Sequence, residues 1–581
     1  MEFPNDSTAT ITSMNKSDEA FMEDSGIVSN VDTGGLISEI GTTTPTVYGE
    51  YDDLDLLEYV EQNAFVGVDQ NFGETRMQID DSSAVFDAIV ENQSCYRTEQ
   101  ENPIPNLIKL ICDEDLVVVH QAAQMILQLA KKETSNAAIT NNPEVVVALV
   151  RILSTTNDFE TIRAATGTLH NLSYSPQGLE HICKYDGIPA LVKCLGTSSV
   201  ALVAIHNLLL FKKGSEMAIC EAGGLQKMVS LLRKDNVKFL TIVTDCLYSL
   251  AYGNEQNKLV ILASNGPAEL VRILRTYHYE KLLWTTSKVL KVLSACSSNK
   301  QAIVHAGGMQ ALATHLDYAK VASPRLVRTV LWTLRNLSDA ATEIEGVEEL
   351  LNAVVQFLNC GDEYIVTCAA GILCNMTCNN QRNKLTVCQA GGIDALIRAI
   401  SVAGSCEKIT EPAVCALRHV TSRHCESEAA QNEVRLCFGI DVIMNLLKPS
   451  SGWPLIKAVI GLLRNLALCS ANQETLREHS AVHHLGNLLT FTVNEMRKQK
   501  NCGSANNLLE GGVRLEEIIE GSIGALQILS RDPVNRDIMH SQRIIPLLTE
   551  LFLGDNESIQ KLAANILWEF GHQDSTMMSN L

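Results

Sequence analysis

The sequence predicts an all-α solenoid, a stack of short helical repeats behind an acidic tail. A Leu-x-Leu-type box closes a helix-like stretch eleven times, centred on Gln128, Asn171, Asn207, Ser249, Val292, Asn336, Asn375, His419, Asn465, Ile528 and Glu569. A glycine followed by an amphipathic run precedes five of the boxes, at Gly187, Gly224, Gly266, Gly308 and Gly392. A period near 42 residues with helical patterning marks an array in which each unit packs only on its neighbours.

Charge divides the chain. Of the net −21, residues 1–103 carry −19 (3 Lys+Arg against 22 Asp+Glu) and the remainder carries −2. Residues 1–80 are rich in Ser, Thr, Gly and acids and lack helical periodicity. They cannot bury enough apolar surface to offset ordering entropy, so they read as a disordered acidic tail. Residues 81–103 hold one short helical pattern, around Val85, Phe86, Ile89 and Val90. Pro103 and Pro105 mark entry into the array, which spans 104–573, and 574–581 form a short C-terminal tail.

Each unit reads as a short helix, a second helix and a longer third helix. The glycine is expected at the turn between units, where no bulky Cβ is tolerated. Gly187 to Asn207 is 20 residues, whereas Gly224 to Ser249 is 25. This shortened unit predicts a kink or a weakened second helix. The 63-residue step from Asn465 to Ile528 predicts a polar loop inserted near 493–515. No run of about 18 apolar residues predicts a membrane span, and no signal peptide is visible. The 18 cysteines therefore read as reduced, and Cys374-x-x-x-Cys378 as packing residues on a helix.

Catalysis and direct nucleic-acid binding find no support: there is no phosphate loop, metal-spaced Cys/His cluster, triad or aromatic-interleaved basic patch, and no cofactor is implied. Binding does. In a three-helix solenoid the third helices line the concave face. The boxes there supply His206, Asn207, Trp332, Arg335, Asn336, Asn375, Arg418, His419, Arg464 and Asn465, with Lys258, Lys281, Lys288, Lys291, Lys384, Arg423 and Lys457 in or near the same helices. Asn pairs with the main chain of an extended peptide, and Lys and Arg pair with its carboxylates. The predicted ligand is extended and acidic. The competing reading is that the asparagines cap helices or pair within the stack.

In the tail, Asp24-Ser25-Gly26-Ile27-Val28-Ser29 places two serines four apart, and Thr33 continues the step. Two phosphates there would add about −3 to −4 charges, a target for a basic pocket. The last residues, with Ser579 two before Leu581, fit a PDZ ligand.

Several strings resemble the β-catenin/armadillo/plakoglobin family: Gly167-Thr-Leu-His-Asn-Leu-Ser173, Tyr279-Glu-Lys-Leu-Leu-Trp-Thr-Thr-Ser287, Leu331-Trp-Thr-Leu-Arg-Asn-Leu-Ser-Asp-Ala-Ala-Thr342 and Trp453-Pro-Leu-Ile-Lys457. The resemblance implies an armadillo-repeat right-handed superhelical solenoid. It implies one groove shared by cadherin cytoplasmic tails, T-cell-factor-type transcription factors, axin and adenomatous polyposis coli-type scaffolds. By motif it puts two clamping lysines at Lys258 and Lys384, whose reversal to Glu is expected to abolish binding and spare the fold. It makes Asp24–Thr33 a phosphodegron read by a ubiquitin-ligase adaptor. The expected roles are Wnt-type signalling in cytoplasm and nucleus or, alternatively, cadherin adhesion at junctions. The chain departs from the family at Ile37, where a fourth phosphosite step would fall. Residues 50–103 hold no recognisable α-catenin-binding stretch, and the twelfth repeat and long C-terminal region are not seen. An import-receptor reading would need an acidic groove, which the lysines oppose.

Overall fold

A computed structural model describes residues 103–316, 323–501 and 508–578. The tail motif Asp24–Thr33, the helical pattern at 82–100 and the Ser579–Leu581 terminus lie outside the described residues. Among the described residues the only non-helical pairing is one isolated bridge, Leu508 to Arg514. They fall into two compact units that divide between Leu172 and Ser173.

Every predicted box lies on a third helix. In the first unit these are α1 (Leu116–Ala130) and α2 (Phe159–Leu172). In the second they are α3 (Ser199–Phe211), α4 (Val237–Ala251), α5 (Glu280–Leu293), α6 (Pro324–Ser338), α7 (Glu363–Thr377), α8 (Glu407–Val420), α9 (Trp453–Leu466), α10 (Leu515–Leu529) and α11 (Glu557–Met578). Within each unit, successive third helices pack side by side in one layer. Their apolar faces supply the core, for example Leu240, Val243 and Leu247 of α4 and Leu282, Val289 and Leu290 of α5.

The starts of these helices follow from sequence. Asn236 accepts a hydrogen bond from the Phe239 amide at the head of α4, and Asp362 accepts from Tyr364 and Ile365 at the head of α7. Each satisfies amides that the first turn leaves without partners. The third helices end under a second asparagine. Asn257, Asn383 and Asn535, from the following first helices, and Asn472, from the 3₁₀ turn leading into one, donate to the carbonyls of Leu250, Met376, Leu529 and Leu466.

The glycines do not sit between units. Gly187, Gly224, Gly266, Gly308 and Gly392 each begin a middle helix, inside the unit, immediately after a residue with positive φ. The reason is close approach: a Cβ on Gly266 would stand 2.9 Å from the Ile261 carbonyl oxygen of the first helix. Sequence spacing located the turn but could not tell which pair of helices it joined.

Four further expectations are revised or sharpened. The shortened unit keeps all three helices, but its middle helix, Gly187–Lys193, passes into a 3₁₀ turn at Cys194–Gly196, and α3 starts three residues later. The unit that α7 closes has no first helix; turns and bends cover most of 339–347 instead. The insertion is helical over its first residues, where the helix Ala481–Asn501 runs into it; 502–507 lie outside the described residues. Finally, α11 continues to Met578, past the boundary placed at 573.

Candidate peptide-binding face

The third-helix layer of the second unit is stitched by two repeating contacts. The first uses the box centre. Asn336 Nδ2 donates to Ser294 Oγ at 3.0 Å, Asn375 Nδ2 to Ser338 Oγ at 2.9 Å, and Asn207 Nδ2 to Ser173 Oγ at 2.9 Å. Asn465 Nδ2 donates to the Arg418 carbonyl at 2.9 Å and to Thr421 Oγ1 at 3.3 Å. His419 meets Thr377 Oγ1 at 3.2 Å, and Ser530 Oγ donates to Glu569 at 2.7 Å. Each hydroxyl stands two residues after the preceding box centre. The asparagine ladder thus spends amide donors on joining neighbours, as the in-stack reading expected. Asn336, Asn375 and Asn465 remain partly exposed.

The second contact joins the residue before one box centre to the residue four before the next. His206 Nε2 lies 2.9 Å from Asp245 Oδ2. Lys288 Nζ sits 4.0 Å from the centre of the Tyr248 ring, and Lys291 Nζ 5.2 Å from that of Trp332. Arg335 crosses Gly371, Arg418 crosses Gly461 and Arg464 crosses Gly524; a Cβ at those glycines would come 2.8, 2.7 and 3.4 Å from the crossing side chain. Three arginines therefore lie flat along the layer because the next helix offers no side chain at the crossing point. Glycine four before a box centre was the available sequence signal, visible at Gly371, Gly461 and Gly524.

Two aromatic stacks join neighbouring helices. Trp332 stacks on Tyr364 with centroids 5.2 Å apart, flanked by Arg335 and Arg328. Trp453 stacks on Phe491 at 5.8 Å. Cations over such faces gain about 0.5–1 kcal/mol each where exposed. Tyr364, Trp453 and Phe491 were not among the expected site residues, since none lies in a box.

Asp245 of α4 bridges cations from both neighbouring helices, His206 of α3 and Lys288 of α5. Burial alone would raise its pKa, yet Lys288 (Nζ to Oδ1, 3.1 Å) and His206 hold the carboxyl far below the usual carboxylate range. His206 and Lys288 are 3% and 7% exposed, so both act within the layer rather than at its surface; Asn207 and His419 are similarly buried. Lys281, Lys291, Trp332, Arg335, Arg418, Arg423, Lys457 and Arg464 are partly exposed. Lys457 also pairs with Glu517 of α10 at 3.1 Å, and Arg423 takes a left-handed conformation, φ 56°, just beyond α8.

The two clamp lysines, expected in or near the third helices, stand just after two of them, α4 and α7. Lys258 and Lys384 belong to first helices, Glu255–Ala263 and Gln381–Gln389, and are 5% and 1% exposed. Lys258 pairs with Glu255, while Lys384 Nζ donates to the Ser422 carbonyl at 2.9 Å, beyond the C-terminal end of α8. An ammonium there also answers the partial negative charge of the helix end. Each lysine follows an asparagine that caps a third helix, which fixes it at the edge of the layer.

The armadillo/β-catenin-like repeat profile matches residues 296–339 and 380–422. Human junction plakoglobin is 49% identical over 534 residues, spanning 90% of this chain and 70% of that protein. The chain belongs to the β-catenin family. A catenin beta from Urechis caupo is 57% identical over 80% of this chain, and the Drosophila melanogaster armadillo segment polarity protein is 58% identical over 84%. The chain spans 57% and 59% of the length of those two relatives. Among solved structures, one from work on a phosphorylation switch in the cadherin–β-catenin interaction matches with a TM-score of 0.69. It is 28% identical and covers 80% of this chain and 99% of its own. Among the described residues, no His/Cys/Asp/Glu group could hold a metal ion, and no single helix is long and apolar enough to cross a membrane.

Proposed function

We propose that this β-catenin-family chain is a non-enzymatic scaffold in Wnt-type signalling, which takes extended acidic peptides along its third-helix face. The observation that carries the reading is the row of partly exposed cations and aromatics from Lys281 to Arg464, held in fixed register by pairs between neighbouring helices. A preorganised row costs less entropy on binding than free side chains would. T-cell-factor-type transcription factors, axin and adenomatous polyposis coli-type scaffolds are the proposed partners, in cytoplasm and nucleus. The Asp24–Thr33 motif is proposed as the degron that sets its level, through a ubiquitin-ligase adaptor.

A second reading, a cadherin-tail adaptor at junctions, draws support from the similarity to junction plakoglobin and from the subject of the matched structure. Both readings use the same face, so partner binding separates them. The purified chain is titrated with a cadherin tail, a T-cell-factor N-terminal peptide and an α-catenin fragment, alongside a Lys281→Glu/Lys291→Glu variant. Binding of the first two peptides, weakened on the order of tenfold or more by the variant, supports the shared acidic-peptide face. Strong α-catenin binding would move the adhesive reading ahead. Unchanged affinity of the variant for both acidic peptides would remove these two lysines from the face.

A further inference from the structure

The contact between successive boxes has one step of unusual chemistry. Between α7 and α8 the register places Cys374, one before the box centre Asn375, against Cys415, four before the box centre His419. Neighbouring steps put Arg335 on Gly371 and Arg418 on Gly461. This step sets thiol against thiol, and each is the first influence on the other's titration. The two cysteines are 5% and 6% exposed, so a trace of surface remains at each. Beside them, His419 Nδ1 lies 3.1 Å from the Cys374 carbonyl oxygen, which ties the two helices at this level.

The electrostatics divide the pair into attacker and resolver. Hydrogen bonding from Cys374 and the nearby Arg418 guanidinium lower the pKa of Cys415, against its burial. The same hydrogen bond, together with burial, raises that of Cys374. A favoured thiolate beside a second thiol is the arrangement of a redox-responsive cysteine.

We propose that Cys374 and Cys415 form a dithiol that hydrogen peroxide oxidises to a disulfide joining α7 to α8. The Cys415 thiolate attacks one peroxide oxygen, the O–O bond breaks, and the departing hydroxide takes a proton to become water. Cys415 is then a sulfenic acid. The Cys374 sulfur attacks it, the S–S bond forms, the S–O bond breaks, and the leaving hydroxide takes the Cys374 proton. Two thiols and one peroxide give one disulfide and two waters, and a dithiol reductant reverses the change. A disulfide holds its sulfurs about 2.05 Å apart, so the two helices must draw together at this level on oxidation.

The test uses the full chain, purified under reductant, transferred to reductant-free buffer and titrated with hydrogen peroxide. Remaining thiols are alkylated, and non-reducing digests are mapped by mass spectrometry. The expected first product is a peptide pair linked through Cys374 and Cys415, reversed by dithiothreitol and absent from Cys374→Ser and Cys415→Ser. Circular dichroism establishes that each variant is folded, with Cys374→Ala or Cys415→Ala replacing the serine variant at the same position where it is not. The proposal is overturned if both thiols stay alkylatable while other cysteines oxidise. It is equally overturned if Cys415 proceeds to the sulfinic acid without the link, or if either cysteine links first to another, such as Cys378.

Discussion

Replacing Lys384 by Glu is expected to unfold part of the array rather than merely weaken binding. The side chain is 1% exposed, and its ammonium donates to the Ser422 carbonyl at 2.9 Å. Lys384→Met keeps most of the stem volume and removes the charged hydrogen bond, which costs about 1.5–3 kcal/mol. Lys384→Glu also sets a carboxylate against a carbonyl in a site closed to water, and an uncompensated buried charge raises the cost to about 3–5 kcal/mol. Solenoids need not unfold in one step, so urea titration is paired with hydrogen exchange over Gln381–Gln389 and Glu407–Val420. The expected order of stability is wild type, Met, then Glu, with protection lost first in those two segments. A Glu variant that loses less than about 1 kcal/mol, with exchange unchanged, would show that the ammonium faces solvent and refute the argument. Peptide-binding loss in any Lys384→Glu protein must therefore be read against its folded fraction.

Asp245→Asn should destabilise the second unit by about 3–5 kcal/mol in urea melts, since it leaves Lys288 and His206 without their anion. In the wild type the Asp245 pKa is depressed on folding, so its contribution is whole above the unfolded value near 3.9 and is lost as pH falls below it. Burial holds His170 near a pKa of about 4 against 6.5 when free. The first unit should therefore keep its stability above pH 6.5 and lose up to about 3 kcal/mol between 6.5 and 4, a slope that His170→Gln abolishes in pH-dependent melts. Gly266→Ala should cost about 1–3 kcal/mol, because its Cβ meets the Ile261 backbone, and a thermal melt equal to wild type would contradict the close approach. Ser25→Ala with Ser29→Ala should lengthen the half-life in cells carrying the active ligase; an unaltered half-life would show the motif idle.

Much of the fold was legible because third helices carry strong apolar periodicity, and each predicted box centre lies on one. Polar side chains were harder. Lys258 and Lys384 stand near boxes in sequence, yet they sit on first helices with stems and ammonium groups enclosed. Local pattern does not report that enclosure. The pairs His206–Asp245 and Lys291–Trp332 span 39 and 41 residues, so neither is visible without the register between helices. The arginines on Gly371, Gly461 and Gly524 were foreshadowed by the glycines, but a glycine inside a helix has many explanations until its neighbour is seen.

The insertion between α9 and α10 bears on how such a chain evolves and folds. Elsewhere in the second unit, stitching contacts close loops of similar size, such as Asn336 to Ser294 at 42 residues and Asn375 to Ser338 at 37. Across the insertion the Asn535–Gln473 contact closes 62. Ring-closure entropy rises only with the logarithm of loop length, so going from 42 to 62 residues adds about 0.3 kcal/mol. Extra length at that junction is nearly free to the folded array, and growth can propagate through it without any contact reaching far along the chain. A solenoid of this kind can accept new sequence between two of its helices while the search problem each segment faces stays that of a small domain.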